Sequence, residues 1–271
     1  MKVVCIFEAV IDFYNFYLMK LHFRTLGEGT PLIILHGVFG SSDNWQTVGK
    51  EFAEYFKVYL VDLRNHGKSP HSDDFNYNVM ASDVVELMQD QGLTKAHLLG
   101  HSMGGKVAMT MATRFSDKVQ KLIVVDIAPK HYPPHHKQIF EGFRSVDLAS
   151  LKSRKDADDQ MAQAITNMGV RQFILKNLDR DEHGNFEWKL NLDAIEKAAN
   201  EVGAEIEANV QFNGETLFIS GGNSDYILES DKVQIQSLFP KANIQKIEGA
   251  GHWVHAEKPN ELRKMVLDFL S

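Results

Sequence analysis

The 271-residue chain carries 29 Lys and Arg against 36 Asp and Glu, a net charge of −7 with histidine neutral. This acidic balance excludes a nucleic-acid or anionic-membrane partner, since both need clustered Lys and Arg. Its 44% hydrophobic and 24% charged residues are those of a globular chain able to bury a sizeable core. The single cysteine, Cys5, excludes an internal disulfide and cysteine-rich zinc sites, and fits a reducing, cytoplasmic setting.

Residues 1–17 are apolar and open with Met-Lys, in the manner of a signal peptide. Glu8 and Asp12 interrupt the run, no small-residue cleavage site follows, and the run falls short of the roughly 18 apolar residues of a membrane span. Met19-Lys20-Leu21-His22-Phe23 reads as a natural start running into a first strand. Residues 1–18 are therefore expected to be an extension outside the core fold.

From there, short apolar runs alternate with longer amphipathic ones, the pattern of a parallel sheet covered by helices. Strands are predicted at 20–26, 32–36, 58–61, 96–100, 122–126, 216–220 and 244–247, and helices at 44–56, 82–91, 103–115, 232–238 and 260–270. Most strand runs are continuously apolar, as burial on both faces requires. Ser82 is taken as the start signal of its helix. The stretch 130–214 breaks the alternation and is too long for a plain loop. Its opening, His131-Tyr132-Pro133-Pro134-His135-His136, cannot begin a regular helix. Met161, Ile165, Met168, Phe173 and Ile174 then recur at helical spacing, and Phe186, Trp188, Leu190 and Leu192 alternate. A mostly helical cap over 130–214 is expected, with the core formed by 19–129 and 215–271.

Three strings carry chemistry. Gly100-His101-Ser102-Met103-Gly104 lies between a predicted strand and a predicted helix. A G-x-S-x-G string in that place makes a sharp turn that presents the serine at a helix N-terminus, where backbone N–H groups favour negative charge. Leu32-Ile33-Ile34-Leu35-His36-Gly37-Val38-Phe39-Gly40 is a buried strand entering a glycine-rich turn. The N–H groups of Val38 and Met103 are the expected oxyanion donors, and His36 a loop brace. Gly249-Ala250-Gly251-His252-Trp253 places His252 after the last strand, unobstructed and with a reference pKa of about 6.5 that suits base work. His255, nearer the final helix and without an adjacent glycine, is the weaker competitor. The order Ser, acid, His admits two carboxylates, Asp126 and Asp225.

Asp62, Arg64 and His66 read as a loop brace in which Arg64 pairs with Asp62. His131, His135 and His136 lack acidic or cysteine partners at useful spacing, so no metal site is expected and they read as solvated hinge residues. Phe39, Trp188 and Trp253 are candidates for lining an acyl pocket.

Together with Asp62-Leu63-Arg64-Asn65-His66-Gly67-Lys68-Ser69-Pro70, Gly40-Ser41-Ser42-Asp43-Asn44-Trp45, Val125-Asp126-Ile127-Ala128-Pro129 and Gly249 to Pro259, these strings resemble the α/β-hydrolase superfamily and, within it, the YbfF-type bacterial esterases and their mammalian abhydrolase-domain relatives. The resemblance runs from Leu21 to the C-terminus and is weakest in the cap. It implies an α/β-hydrolase fold: a mostly parallel central sheet flanked by helices, with a helical cap inserted between strands 6 and 7. It also implies hydrolysis of small apolar carboxylic esters without metal or organic cofactor, and the earlier aspartate, Asp126, as the acid. A thioesterase or C–C bond hydrolase on the same residues, and a non-catalytic ligand receptor, are the alternatives. The sequence does not specify an oligomeric state.

Overall fold

The structure, a computed structural model, describes residues 19–207 and 210–271. The expectation for residues 1–18 lies outside these.

Among the described residues, seven strands form one sheet in the order β1-β3-β2-β4-β5-β8-β9. They are β1 (Phe23–Leu26), β2 (Pro31–Leu35), β3 (Lys57–Val61), β4 (Ala96–His101), β5 (Val119–Val125), β8 (Thr216–Gly221) and β9 (Ala242–Ile247). Only β1 runs antiparallel to its neighbour, with Phe23 opposite Val61; every other pair is parallel. Successive side chains of a strand point to opposite faces, and here both faces are apolar. Ile33, Leu35, Leu98 and Val124 enter one core, under α2 (Tyr77–Asp90) and α3 (Met103–Arg114). Leu32, Ile34, Leu99 and Ile123 enter the other, under α1 (Gln46–Phe52) and α11 (Pro259–Leu270). That double burial is why the runs read as continuous rather than alternating.

Two helix starts differ from the sequence reading. The helix expected at 82 begins at Tyr77, because the Asn76 side chain accepts the N–H groups of Asn78 and Val79. Ser82 sits inside the helix, with its hydroxyl donating back to Asn78 O. The helix expected over 44–56 is a 3-10 turn, Ser42–Trp45, followed by the short α1.

The cap region follows the fifth strand of the sheet and precedes the sixth, rather than lying between strands 6 and 7; among the described residues the sheet begins at Phe23, so the count starts there. It contains α4 (Lys137–Arg144), α5 (Arg154–Met161), α6 (Met168–Leu175), a hairpin of β6 (Leu178–Arg180) with β7 (Phe186–Trp188), α7 (Leu192–Lys197) and α8 (Ala199–Gly203). The apolar stripe is shared by two helices instead of one. Met161, Ile165 and Ile174 are buried, whereas Met168 is 65% exposed at the start of α6, where Asn167 caps the helix.

The cap's two ends run side by side. Tyr132 N–H donates to Gly203 O at 2.8 Å and Ile206 N–H to Pro129 O at 2.8 Å. Lys106, buried on α3, donates to the carbonyls of Lys130, Gly203 and Ala204, and Tyr77 OH donates to Val202 O. Burial pushes the Lys106 ammonium down to about 7.

The loops after β2 and β3 are also tied together. Leu63 N–H donates to His36 Nε2 and Phe39 N–H to His66 Nε2. Arg64 does not pair with Asp62. It forms a two-pronged pair with Asp83 of α2, at 2.6 and 2.7 Å, while Asp62 accepts the N–H groups of Ser42 and Lys68. Among the described residues no helix is long and apolar enough to cross a membrane.

Candidate active site

Ser102 lies between β4 and α3 with φ 52° and ψ −120°, a left-handed backbone that non-glycine residues rarely hold. The turn exists because its neighbours have no side chains. A Cβ on Gly100 would lie 2.2 Å from Gly104 O, and one on Gly104 would lie 2.3 Å from Leu35 O. Ser102 N–H donates to Val125 O at 3.0 Å, so the serine is locked to β5 as well.

The loop after β9 brings His252 Nε2 to 3.1 Å from Ser102 Oγ. Its Nδ1 lies 2.8 Å from Asp126 Oδ2, at the end of β5. An ionised carboxylate only accepts, so Nδ1 carries the proton and the Nε2 lone pair faces the serine hydroxyl. Asp126 is fully buried with φ 51°. Its Oδ1 accepts Gly221 N–H at 2.9 Å and its Oδ2 accepts the Ser224 hydroxyl at 2.5 Å. Of the two carboxylates, Asp126 is the one beside the histidine; Asp225 is exposed. The end of β8 and the loop after it therefore supply donors to this carboxylate, through Gly221 and Ser224. His252 O accepts a bond from His101 Nε2 at 2.9 Å, and burial holds His101 neutral, well below its ordinary pKa. His255 is stacked on Trp45 at 4.4 Å, and burial pushes it down to about 3.

The β2 loop passes directly over the nucleophile, since a Cβ on Gly37 would lie 3.2 Å from Ser102 Cβ. Phe39 N–H is committed to His66 and Gly40 N–H to Gly37 O. Val38 N–H is thus the donor this loop can offer to a developing oxyanion. Met103 supplies the first N–H of α3, which has no acceptor within its helix.

Ser102 and His252 open on a cavity of about 270 Å³. Phe39 and Trp253 line it, as do Ile139, Val170 and Phe173 from the cap. Trp188 does not. Its ring packs edge-on against Phe143 at 4.9 Å inside the cap, because the hairpin turns that face inward. Trp188→Ala is therefore expected to cost about 1–2 kcal/mol of stability, as a half-buried aromatic does, and to leave the acyl-length profile unchanged; melting curves beside an ester series check this. His136 is no solvated hinge residue. It lines the cavity, packs edge-on to Phe39 at 5.3 Å, and is pushed down to about 3 by burial. His135 is exposed, but its Nε2 lies 2.6 Å from Tyr226 OH. Sequence reasoning missed Tyr226, whose ring covers His252; nothing in the local pattern of its loop marks it. Among the described residues no cluster of three or more His, Cys, Asp or Glu is arranged to hold a metal.

A strained serine at a strand-to-helix turn, a histidine within reach of it, a buried carboxylate behind the histidine and two flanking N–H donors define a serine hydrolase on a mostly parallel sheet. The chain belongs to the alpha/beta hydrolase fold family, which matches it over residues 30–168. It is 39% identical to the sn-1-specific diacylglycerol lipase ABHD11 of Danio rerio, over 90% of this chain and 79% of that protein. It is 36% identical to the esterase YbfF of Escherichia coli strain K12, over 93% of this chain and all of that protein. Among solved structures, a marine microorganism esterase superposes with a TM-score of 0.90 at 43% identity, covering 93% of this chain and 99% of that one.

Proposed function

We propose that this chain is a serine carboxylic-ester hydrolase that acts through an acyl-enzyme on small apolar esters of short to medium acyl length, in the cytoplasm. The observation that carries the reading is the hydrogen-bonded series Asp126–His252–Ser102 opening on a cavity walled by Phe39, Ile139, Phe173 and Trp253. Ser102 Oγ attacks the ester carbonyl while His252 Nε2 takes its proton. The tetrahedral oxyanion is held by Val38 and Met103 N–H, and Asp126 stabilises the imidazolium. His252 then gives the proton to the departing alcohol. Water then attacks the acyl carbon and loses a proton to His252, which returns it to Ser102 Oγ as the acid departs. None of these steps needs a metal or organic cofactor. Residues 130–214 serve as the lid that keeps the acyl chain out of water, on a core of 19–129 and 215–271. The curated relatives, an esterase and a diacylglycerol lipase, cleave esters by their names, which supports the substrate class.

A fluorophosphonate probe followed by peptide mapping tests the reading, beside a panel of p-nitrophenyl esters, matched thioesters and β-diketones. Labelling of the peptide containing Ser102, with turnover concentrated on the esters, is expected. Preferred turnover of thioesters or β-diketones would reassign the reaction, and a folded chain that neither labels nor turns over would be a ligand receptor.

A further inference from the structure

One face of the His252 ring is covered by a tyrosine. The Tyr226 ring lies parallel to the imidazole, with 3.8 Å between centroids and 16° between planes. It is held there from several sides. Its carbonyl accepts the Tyr132 hydroxyl at 2.5 Å, and the Tyr132 ring flanks it at 5.4 Å. Its N–H lies 3.3 Å from the Oγ of Ser224, the residue that also donates to Asp126. The phenol is fixed by the cap. His135 Nδ1 is 2.9 Å from Pro133 O, which only accepts, so in the neutral ring Nδ1 carries the proton and Nε2 is an acceptor. Tyr226 OH therefore donates to His135 Nε2, and burial, which pushes the phenol up to about 12, keeps it a neutral donor. A phenol that donates a hydrogen bond has a more electron-rich ring.

We propose that Tyr226 is a positioning residue for acyl transfer: its ring holds the His252 imidazole in the plane shared by Asp126 and Ser102, and its π face favours the imidazolium formed in each half of the reaction. The inference rests on the serine-hydrolase reading above. Hydrogen bonds at both nitrogens fix the ends of the imidazole but not the tilt of its plane, and a parallel ring at contact distance removes that freedom. As Ser102 gives up its proton, positive charge spreads over the imidazole and meets the negative face of an aromatic ring. Such contacts are worth about three- to thirtyfold in an equilibrium between the charged and neutral forms. Other groups also act on the charge of His252: Asp126 from the end of β5, His101 from β4, His255 from α10 (Val254–Glu257) and His136 from the cap. All are kept in every variant below, so the comparison isolates the ring.

The experiment compares the native chain with Tyr226→Phe, Tyr226→Leu, and pentafluorophenylalanine placed at the same position. The last keeps the shape of a phenyl ring and reverses the sign of its face. For each, kcat and KM on p-nitrophenyl butyrate are measured, with the pH dependence of kcat/KM, whose acidic limb reports the histidine of the free enzyme. Tyr226→Phe is expected to stay within about threefold of native kcat and to keep the limb, since the π face remains. Tyr226→Leu is expected to lose about tenfold in kcat and to move the limb to lower pH by about half a unit or more, because the neutral histidine is then relatively favoured. The fluorinated ring is expected to follow Tyr226→Leu. If both variants keep native kcat and the native limb and change only KM, Tyr226 is a wall of the cavity and the proposal is overturned. Should Tyr226→Leu fail to fold, the fluorinated and plain phenyl rings decide the matter between them. A native chain that neither labels with a fluorophosphonate nor cleaves the ester would instead overturn the hydrolase reading, before Tyr226 comes into question.

Discussion

Asp126→Asn is expected to keep the fold and to lower turnover by up to about ten-thousandfold, the scale found when the aspartate of a serine protease triad is made asparagine. The side chain is nearly isosteric, and its carbonyl oxygen can still accept Gly221 N–H, which holds the end of β8. The loss comes from the other oxygen. With an amide NH2 facing it, His252 Nδ1 becomes an acceptor, and the proton moves to Nε2. The lone pair that lies 3.1 Å from Ser102 Oγ is then gone, and the serine proton has nowhere to go. Asp225→Asn, an exposed change that touches neither His252 nor Asp126, is expected to stay within about twofold of native, as surface changes do. Steady-state turnover of one p-nitrophenyl ester by the two variants, with melting curves to check the fold, is sufficient. A crippled Asp225 variant beside an active Asp126 variant would move the acid to the later loop.

Stability is expected to fall steeply in mild acid. His66 and His255 are buried and neutral, each pushed down to about 3 by burial. His97 is pushed to about 4, His36 is lowered, and His101 lies well below its usual range, all chiefly for the same reason. In the unfolded chain these rings take protons near pH 6.5. Between pH 6.5 and about 3 the unfolded state therefore binds more protons than the folded one, so stability is full above that window and is lost as pH falls through it. At pH 5, His66 and His255 alone remove about 2 kcal/mol each. A whole domain has only about 5–15 kcal/mol. Asp83 acts in the opposite sense, because burial raises its carboxyl, but it is one group against several. Urea titrations from pH 8 to pH 4, followed by tryptophan fluorescence, should show a midpoint that declines below pH 6 and a chain that unfolds without denaturant near pH 4. A midpoint unchanged between pH 7 and pH 5 would mean that these rings find protons without leaving the fold.

What the sequence made legible was local or periodic. The inner sheet strands were visible because burial on both faces leaves a nearly unbroken apolar run, and Ser102 and His252 because glycines mark tight turns after a strand end. The choice between Asp126 and Asp225 was not in the residue order, which admits both; it lies in which strand end faces the β9 loop. Arg64 was given the nearest carboxylate, Asp62, whereas its partner Asp83 comes from a helix that only the folded sheet brings near. Trp188 was placed in the pocket because it lies in the cap, but the way the hairpin turns its face is a tertiary fact. Tyr226 carried no signal, since stacking on an imidazole leaves no periodicity.

The paired ends of the cap make it a cassette on a two-ply neck. Pro129 and Ile206, near the two ends of the cap, are joined by a backbone hydrogen bond, so the length of what lies between barely affects where β5 and β8 sit. Lys106 grips that neck through three main-chain oxygens, with its ammonium 4.9 Å from the centre of the Tyr132 ring. The oxygens are main-chain, but the close approach of the two chain segments requires Gly203, where a Cβ would clash with Tyr132 O. A cap that keeps this neck can therefore differ elsewhere, and with it the shape of the cavity, while Ser102, His252 and Asp126 keep their places on the sheet.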